Sequence, residues 1–203
     1  MKIICIGRNY SEHIQELHST IPKDPVFFCK PDTALLLHNR PFYLPDFSKE
    51  IHYETELIIK IDRVGKNIEP KFASSYYNSI GLGFDFTARD IQRKCTKDGL
   101  PWEICKGFDH SAAIGEFVPK TEFTDVNHLA FHLLKNGELV QKGNSEDMLF
   151  NIDELISYVS RFMTLQMGDI LFTGTPTGVG PLKIGDHLEA FLENSSLLKC
   201  EIK

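Results

Sequence analysis

Residues 51–61 read IHYETELIIKI and residues 79–90 read SIGLGFDFTARD; period-two alternation in both decides for a β-rich fold. In the first stretch Ile51, Tyr53, Thr55, Leu57, Ile59 and Ile61 fall on one strand face, and His52, Glu54, Glu56, Ile58 and Lys60 on the other. Neighbours on one face lie about 6.5–7 Å apart, so Glu54 and Glu56 can converge on one cation between them. In the second stretch Ile80, Leu82 and Phe84 share one face, and Gly81, Gly83 and Asp85 the other. Glycine inside a strand marks a close approach of backbone or ligand, and here the cleared face ends in a carboxylate. Three strand carboxylates, Glu54, Glu56 and Asp85, make a hard-oxygen set suited to Mg²⁺, Mn²⁺ or Ca²⁺. Taken singly, Glu54 and Glu56 also fit a solvated outer face, and the glycine stretch fits a bulge with Asp85 capping the helix that follows.

Outward from these stretches, short β-type runs recur at residues 2–6, 26–29, 128–134, 139–142, 169–173, 187–192 and 197–202. Asn136-Gly137 supplies the positive-φ pair of a type I′ hairpin, and Glu193 to Ser196 a slightly longer polar loop. Helical spacing is confined to residues 10–18, 88–97 and 152–162, the last through Leu155, Ile156, Val159 and Phe162. Helices so few decorate sheets rather than alternate with strands, so the expected class is mainly β with a few short helices (α+β), and a βαβ parallel sheet is disfavoured. No repeat, low-complexity tract or linker interrupts the 203 residues, which predicts one domain over 1–203.

Composition narrows the function. Hydrophobic residues at 42% and charged residues at 25% describe a globular chain, and a formal net charge of −6 disfavours a phosphate backbone, so no nucleic acid is expected. Cysteines 5, 29, 95, 105 and 200 are scattered, with no C-x-x-C pair, which fits a reducing cytoplasm. The opening MKIICIG is too short for a signal-peptide core, and no run approaches a membrane span.

Further chemistry sits in three places. In GRNYSEHIQEL, residues 7–17, Asn9 is placed to cap a helix, with Glu12 completing a capping box, and Tyr10, Ile14 and Leu17 form its apolar stripe. His13 and Glu16 stand at i and i+3 beside that stripe, either as a helix-surface ion pair or as a base held in one tautomer by a carboxylate. Lys106, in WEICKGFDHS, has apolar neighbours and requires an anion: Asp109, another acid, a substrate carboxylate or the metal-ligating acids. Residues 172–181, FTGTPTGVGP, form either a turn-rich connection or a loop offering backbone N–H groups to an anion; no G-K-[ST] follows, so nucleotide binding is not implied.

Taken together, GRNYSEH with Glu16, FFCKP at 27–31, YETEL at 53–57, GFDFTARDIQ at 83–92, KGFD at 106–109, FTGTPTGVGP and Gly185-Asp186 resemble the fumarylacetoacetate hydrolase family, in its short acylpyruvate hydrolase and oxaloacetate decarboxylase-like branch. The resemblance implies a mixed β-sandwich roll, a homodimer, and a divalent metal, Mg²⁺ or Mn²⁺, on Glu54, Glu56 and Asp85. It further implies a water-activating dyad of His13 and Glu16, Lys106 in catalysis, and Lys30, Gln92 and Thr175, with Lys106, holding the 2-oxo acid end of a small substrate or supporting the catalytic water. The expected reaction is hydrolysis of a C–C bond in acylpyruvate-type 2,4-dioxo acids, with decarboxylation of oxaloacetate and isomerisation of a hydroxymuconate-like dioate as alternatives, and a non-catalytic protein on the same scaffold as the rival from another class.

Overall fold

A computed structural model describes residues 1–16 and 20–203. Its strands are β1 (Ile3–Gly7), β2 (Val26–Lys30), β3 (Leu35–Leu36), β4 (Ile51–Tyr53), β5 (Thr55–Ile61), β6 (Tyr77–Asp85), β7 (Thr87–Ala88), β8 (Ala112–Pro119), β9 (Ala130–Lys135), β10 (Glu138–Asn144), β11 (Ile170–Phe172), β12 (Gly180–Pro181), β13 (His187–Leu192) and β14 (Ser195–Glu201). The α-helices are α1 (Ser11–Glu16), α2 (Pro70–Ala73), α3 (Arg89–Asp98), α4 (Glu103–Lys106) and α5 (Ile152–Ser160). The strands form a seven-stranded sheet ordered β2-β1-β11-β5-β6-β8-β3, a four-stranded sheet β10-β9-β13-β14, and a small sheet β12-β4-β7. Only β1 with β11 and β3 with β8 run parallel among these pairings. The mainly β class is therefore what the sequence predicts. Among the described residues no helix is long and apolar enough to cross a membrane.

The 51–61 run is not one strand. It breaks at Glu54: β4 joins the small sheet, while β5 runs through the middle of the large one between β11 and β6. The break is held from outside, since the Thr55 N–H donates to Gln141 Oε1 at 2.9 Å and the Asp85 N–H to the Glu54 carbonyl at 2.8 Å. A solvated outer face is excluded, because within β5 only Lys60 is exposed. A central strand is covered on both sides. Leu57, Ile59 and Ile61 join the main core with Ile80, Leu82 and Phe84, whereas Ile58 packs with Ile3, Cys5, Ile170 and Phe172 on the opposite face.

That second core explains the glycines of β6. A Cβ on Gly83 would lie 2.5 Å from Phe172 Cε1 and 2.9 Å from Ile58 Cγ2. The cleared space is filled by Phe172, not by a ligand. Gly83→Ala is expected to cost about 1–3 kcal/mol through overpacking, read as a lower denaturant midpoint at unchanged m-value; a midpoint equal to that of the wild type would show that Phe172 swings aside at no cost.

Several local expectations change. Asn9 does not cap α1: its Nδ2 donates to the carbonyls of Thr173 (2.8 Å) and Phe150 (3.0 Å), and its Oδ1 accepts from the Phe150 N–H (2.9 Å). Three distant partners outcompete the local cap, so the capping box with Glu12 does not form. Asp85 caps nothing either, because lysine side chains occupy it. The expected helix 10–18 is described over Ser11–Glu16, and Leu17 and His18 lie outside the described residues. Phe162 falls beyond α5 and is exposed. The Asn136-Gly137 turn forms with both φ positive, and Ser195 and Ser196 belong to β14, so the second hairpin loop is tighter than expected.

Candidate active site

A cavity of about 510 Å³ opens where the β1–α1 connection, the Glu54 break, the end of β6, α3, α4 and the loop after β11 meet. Antiparallel pairing of β5 with β6 places Glu56 opposite Gly83, two residues from Asp85. Oxygens of Glu54, Glu56 and Asp85 consequently lie within 4.8 Å of one another, all three residues buried. No partner among the described residues engages the second oxygen of Glu56, while its Oε2 accepts from the Gly174 N–H at 2.7 Å. Three converging buried carboxylates, one of them with an unengaged oxygen, fit a hard divalent cation.

Buried cations stand behind these acids. Lys106 Nζ donates to Glu54 Oε2 and Asp85 Oδ2, both at 2.8 Å, and to Thr87 Oγ1 at 2.6 Å. Its acidic partners are thus Glu54 and Asp85, and Asp109 is exposed instead. Lys30 Nζ sits 2.7 Å from Asp85 Oδ1 as an ion pair without hydrogen-bond alignment, and it donates to the Ser111 carbonyl and hydroxyl at 2.9 and 3.0 Å. Arg89 pairs with Glu54 Oε1 and donates to Gln92 Oε1.

These neighbours divide the acids. Burial alone would raise the Glu54 carboxyl, but Lys106 and Arg89 reverse that and hold it well below the ordinary range. Glu56 goes the other way: burial, then the charges of Asp85 and Glu54, raise it well above the usual value. Burial disfavours a charged Lys106, yet Asp85 and Glu54 outweigh it and keep the ammonium protonated.

On α1, His13 Nδ1 lies 2.9 Å from Glu16 Oε2, and Glu16 Oε1 accepts from the Gly178 N–H at 3.1 Å. Both side chains line the cavity. With a carboxylate as its partner, Nδ1 is the protonated nitrogen, which leaves Nε2 as the basic one. The glycine loop does offer N–H groups to anions, and those anions are the protein's own Glu56 and Glu16. Thr175 Oγ1 donates to the Thr55 carbonyl and accepts from Gln141 Nε2, both at 2.9 Å, which fixes the loop against the Glu54 break.

Of the residues expected in the site, His13, Glu16, Glu54, Glu56, Asp85, Gln92, Lys106 and Thr175 line the cavity. Lys30 does not. Its ammonium is enclosed by Asp85, Ser111 and the Lys106 carbonyl, so it stands behind Asp85 rather than in the cavity wall. Sequence reasoning passed over Arg89, His52, Arg8 and Trp102, which also line the cavity. For Arg89 a signal existed: it stands three residues before Gln92, on the same helix face.

Residues 2–203 match the family described as Fumarylacetoacetate (FAA) hydrolase C-terminal. The chain belongs to this family. Among relatives of this fumarylacetoacetate hydrolase family protein, oxaloacetate tautomerase FAHD1, mitochondrial, of Mus musculus is 40% identical over 201 residues, covering 99% of this chain and 91% of the relative. Oxaloacetate decarboxylase, mitochondrial, of Dictyostelium discoideum is 42% identical over 189 residues, covering 93% and 87%. The crystal structure of fumarylpyruvate hydrolase from Pseudomonas aeruginosa in complex with Mn²⁺ and pyruvate superposes with a TM-score of 0.94 at 33% identity, covering 100% of this chain and 89% of that one. The family thus includes enzymes of small 2-oxo acids, and its fold is the one this chain adopts.

Proposed function

We propose that this chain is a divalent-ion-dependent enzyme that moves a proton at C3 of oxaloacetate-type 2-oxo acids, interconverting keto and enol forms. The observation that carries the reading is the His13–Glu16 pair in the wall of the cavity that also contains the three carboxylates. Glu54, Glu56 and Asp85 would hold Mg²⁺ or Mn²⁺, which when bound supplies Lewis-acid polarisation of the 2-oxo group. His13 Nε2 takes the proton from C3, Glu16 stabilises the imidazolium through Nδ1, and the proton returns to carbon or oxygen. Lys106, its charge secured by Glu54 and Asp85, places a cation beside the developing negative charge. Gln92 offers its Nε2 as a donor to the 2-oxo carboxylate, while Thr175, whose hydroxyl proton goes to the Thr55 carbonyl, holds the loop that forms the wall beside it. The oxaloacetate relatives support this order of preference.

Hydrolysis of an acylpyruvate is the second reading, supported by the same dyad and by the fumarylpyruvate hydrolase neighbour. Here His13 takes its proton from water; hydroxide adds to the distal carbonyl, the C3–C4 bond breaks with its electron pair on C3, and the acyl part leaves as a carboxylic acid. Side-by-side assays separate the two: ketonisation of enol-oxaloacetate and cleavage of acetylpyruvate, each with Mn²⁺. Faster turnover of enol-oxaloacetate is expected, faster acetylpyruvate cleavage reverses the order, and inactivity on both refutes an enzyme of this class.

The state of Glu56 gives a test of the metal site independent of turnover. Its raised folded-state value means that stability from the neutral carboxyl is present below the ordinary 4.5 and is lost as pH rises towards the folded value. A bound ion displaces whatever proton that raised value retains, so Mn²⁺ binding is expected to release protons increasingly as pH falls. Calorimetry in two buffers of different ionisation enthalpy, repeated across the acidic range, reads this directly; binding without proton release throughout that range would exclude Glu56 as a ligand.

A homodimer in the cytoplasm completes the proposal. Exposed Met1 and Leu37 beside Ile114 and Phe117 at a second cavity on the large sheet supply an apolar face for the partner copy, and sedimentation at a monomer's mass would remove the dimer.

A further inference from the structure

Helix α3 turns one face to the cavity: Arg89, Gln92, Arg93, Thr96 and Lys97 all line it, at i, i+3, i+4, i+7 and i+8. At 1.5 Å per residue, the backbone positions of Arg89 and Lys97 are about 12 Å apart. Arg89 is the end bonded to Glu54, so this wall runs about two helical turns outward from the carboxylate triad. The cations along it differ in occupation. Arg89 is paired with Glu54 and Arg93 with Glu50, whereas Lys97 has no acidic partner among the described residues.

Arg8 lines the same cavity from the β1–α1 connection. It is half-buried, and no described residue gives its guanidinium a hydrogen bond or an ion pair. Its backbone has a φ of 60°, in the left-handed region that side chains other than glycine, asparagine and aspartate rarely adopt. The next residue, Asn9, fixes that turn through its bonds to Thr173 and Phe150. A glycine would hold the turn without strain, yet the position carries a long cation directed at the cavity wall. Strained backbone concentrates where a side chain must be presented. The lining also includes the apolar rings of Phe28 and Trp102, which pack together with centroids 5.7 Å apart.

We propose that Arg8, assisted by Lys97, forms a subsite for a second carboxylate, so that the cavity selects 2-oxo dicarboxylates over 2-oxo acids with a neutral tail. The triad end takes the 2-oxo carboxylate and the unpaired guanidinium takes the distal one, in the planar fork geometry that suits arginine. This rests on the reading that a 2-oxo acid binds at the triad.

Calorimetric titration of the Mg²⁺-loaded protein tests it with three ligands. Oxalate spans the triad end alone, while 2-oxoglutarate and 2-oxopentanoate have the same carbon count and differ in the terminal carboxylate. Wild type is expected to bind 2-oxoglutarate about tenfold or more tightly than 2-oxopentanoate, as a charge-assisted contact allows. Arg8→Gly, which suits the left-handed turn, is expected to abolish most of that preference, and Arg8→Lys to retain part of it. Failure of oxalate to bind overturns the underlying reading and the subsite with it. Oxalate binding with equal affinities for the two longer acids overturns the subsite alone, as does an Arg8→Gly variant that weakens both longer acids equally.

Discussion

His13→Ala is expected to lower kcat about 10²–10⁴-fold, the range associated with loss of a positioned general base, while Mn²⁺ and oxalate still bind. The separation follows from where the groups sit. His13 belongs to α1 and touches Glu16, whereas the three carboxylates belong to β5, β6 and the break before β5 and are held by Lys106, Arg89 and the Gly174 N–H. Removing the imidazole therefore leaves the ion-holding geometry in place. Glu16→Gln should cost less than His13→Ala, since an amide can still accept from Nδ1 but no longer stabilises the imidazolium. The double variant should be no slower than His13→Ala alone, because residues acting as a unit are not additive. Turnover by His13→Ala within about threefold of wild type would remove the imidazole from the reaction, a loss far below that range.

The largest effect on stability is expected from Lys106→Met. Removing one partner from a buried ion pair costs about 3–5 kcal/mol because the remaining charge stays uncompensated, and here two carboxylates, Glu54 and Asp85, lose a shared partner. The methionine fills the volume, so the loss reports charge rather than a cavity. A divalent ion can replace part of the missing positive charge, which predicts that Mn²⁺ raises the melting temperature of the variant more than that of the wild type. Unfolding in urea with and without Mn²⁺ reads both. A loss under about 1 kcal/mol would mean that Lys30 and Arg89 already neutralise the acids, and equal metal responses would mean that Lys106 does not shape the triad.

The parts of the site legible in the sequence are those carried by strong local periodicity. Alternation in residues 51–61 and 79–86 places Glu56 and Asp85 on the strands they occupy, with Glu54 at the break beside them, and helical spacing places His13 beside Glu16. What alternation could not show is where a strand is interrupted. The break at Glu54 depends on Gln141, 86 positions away, and no local pattern encodes it. Gly81 and Gly83 signal a close approach of backbone or ligand, but a gap in one sequence does not announce its occupant, which is the backbone of β8 at Gly81 and Phe172 of β11 at Gly83. Strand β8 is not legible in the sequence: AAIGEFVP scatters Ile114, Phe117 and Val118 among Ala, Gly, Glu and Pro, which are depleted in strands, and its conformation is imposed by pairing with β6 on one side and β3 on the other. Asn9 had a sound local cap available and is engaged instead by three contacts more than 140 positions distant. Lys30, assigned by resemblance alone, lies among carbonyls that only the folded chain brings together.

The division of labour between a rigid sheet and a helix of six residues has a consequence for how such a protein can change over generations. Substitutions confined to α1 can alter the His13–Glu16 pair without disturbing the three carboxylates, and substitutions in α3 beyond Arg89 and its bond to Glu54 can reshape the far wall of the cavity without touching either. Descent with modification can therefore vary the dyad, the far wall and the acid cluster as three nearly independent traits, so one ancestral chassis can be retuned in one of them while the other two are kept.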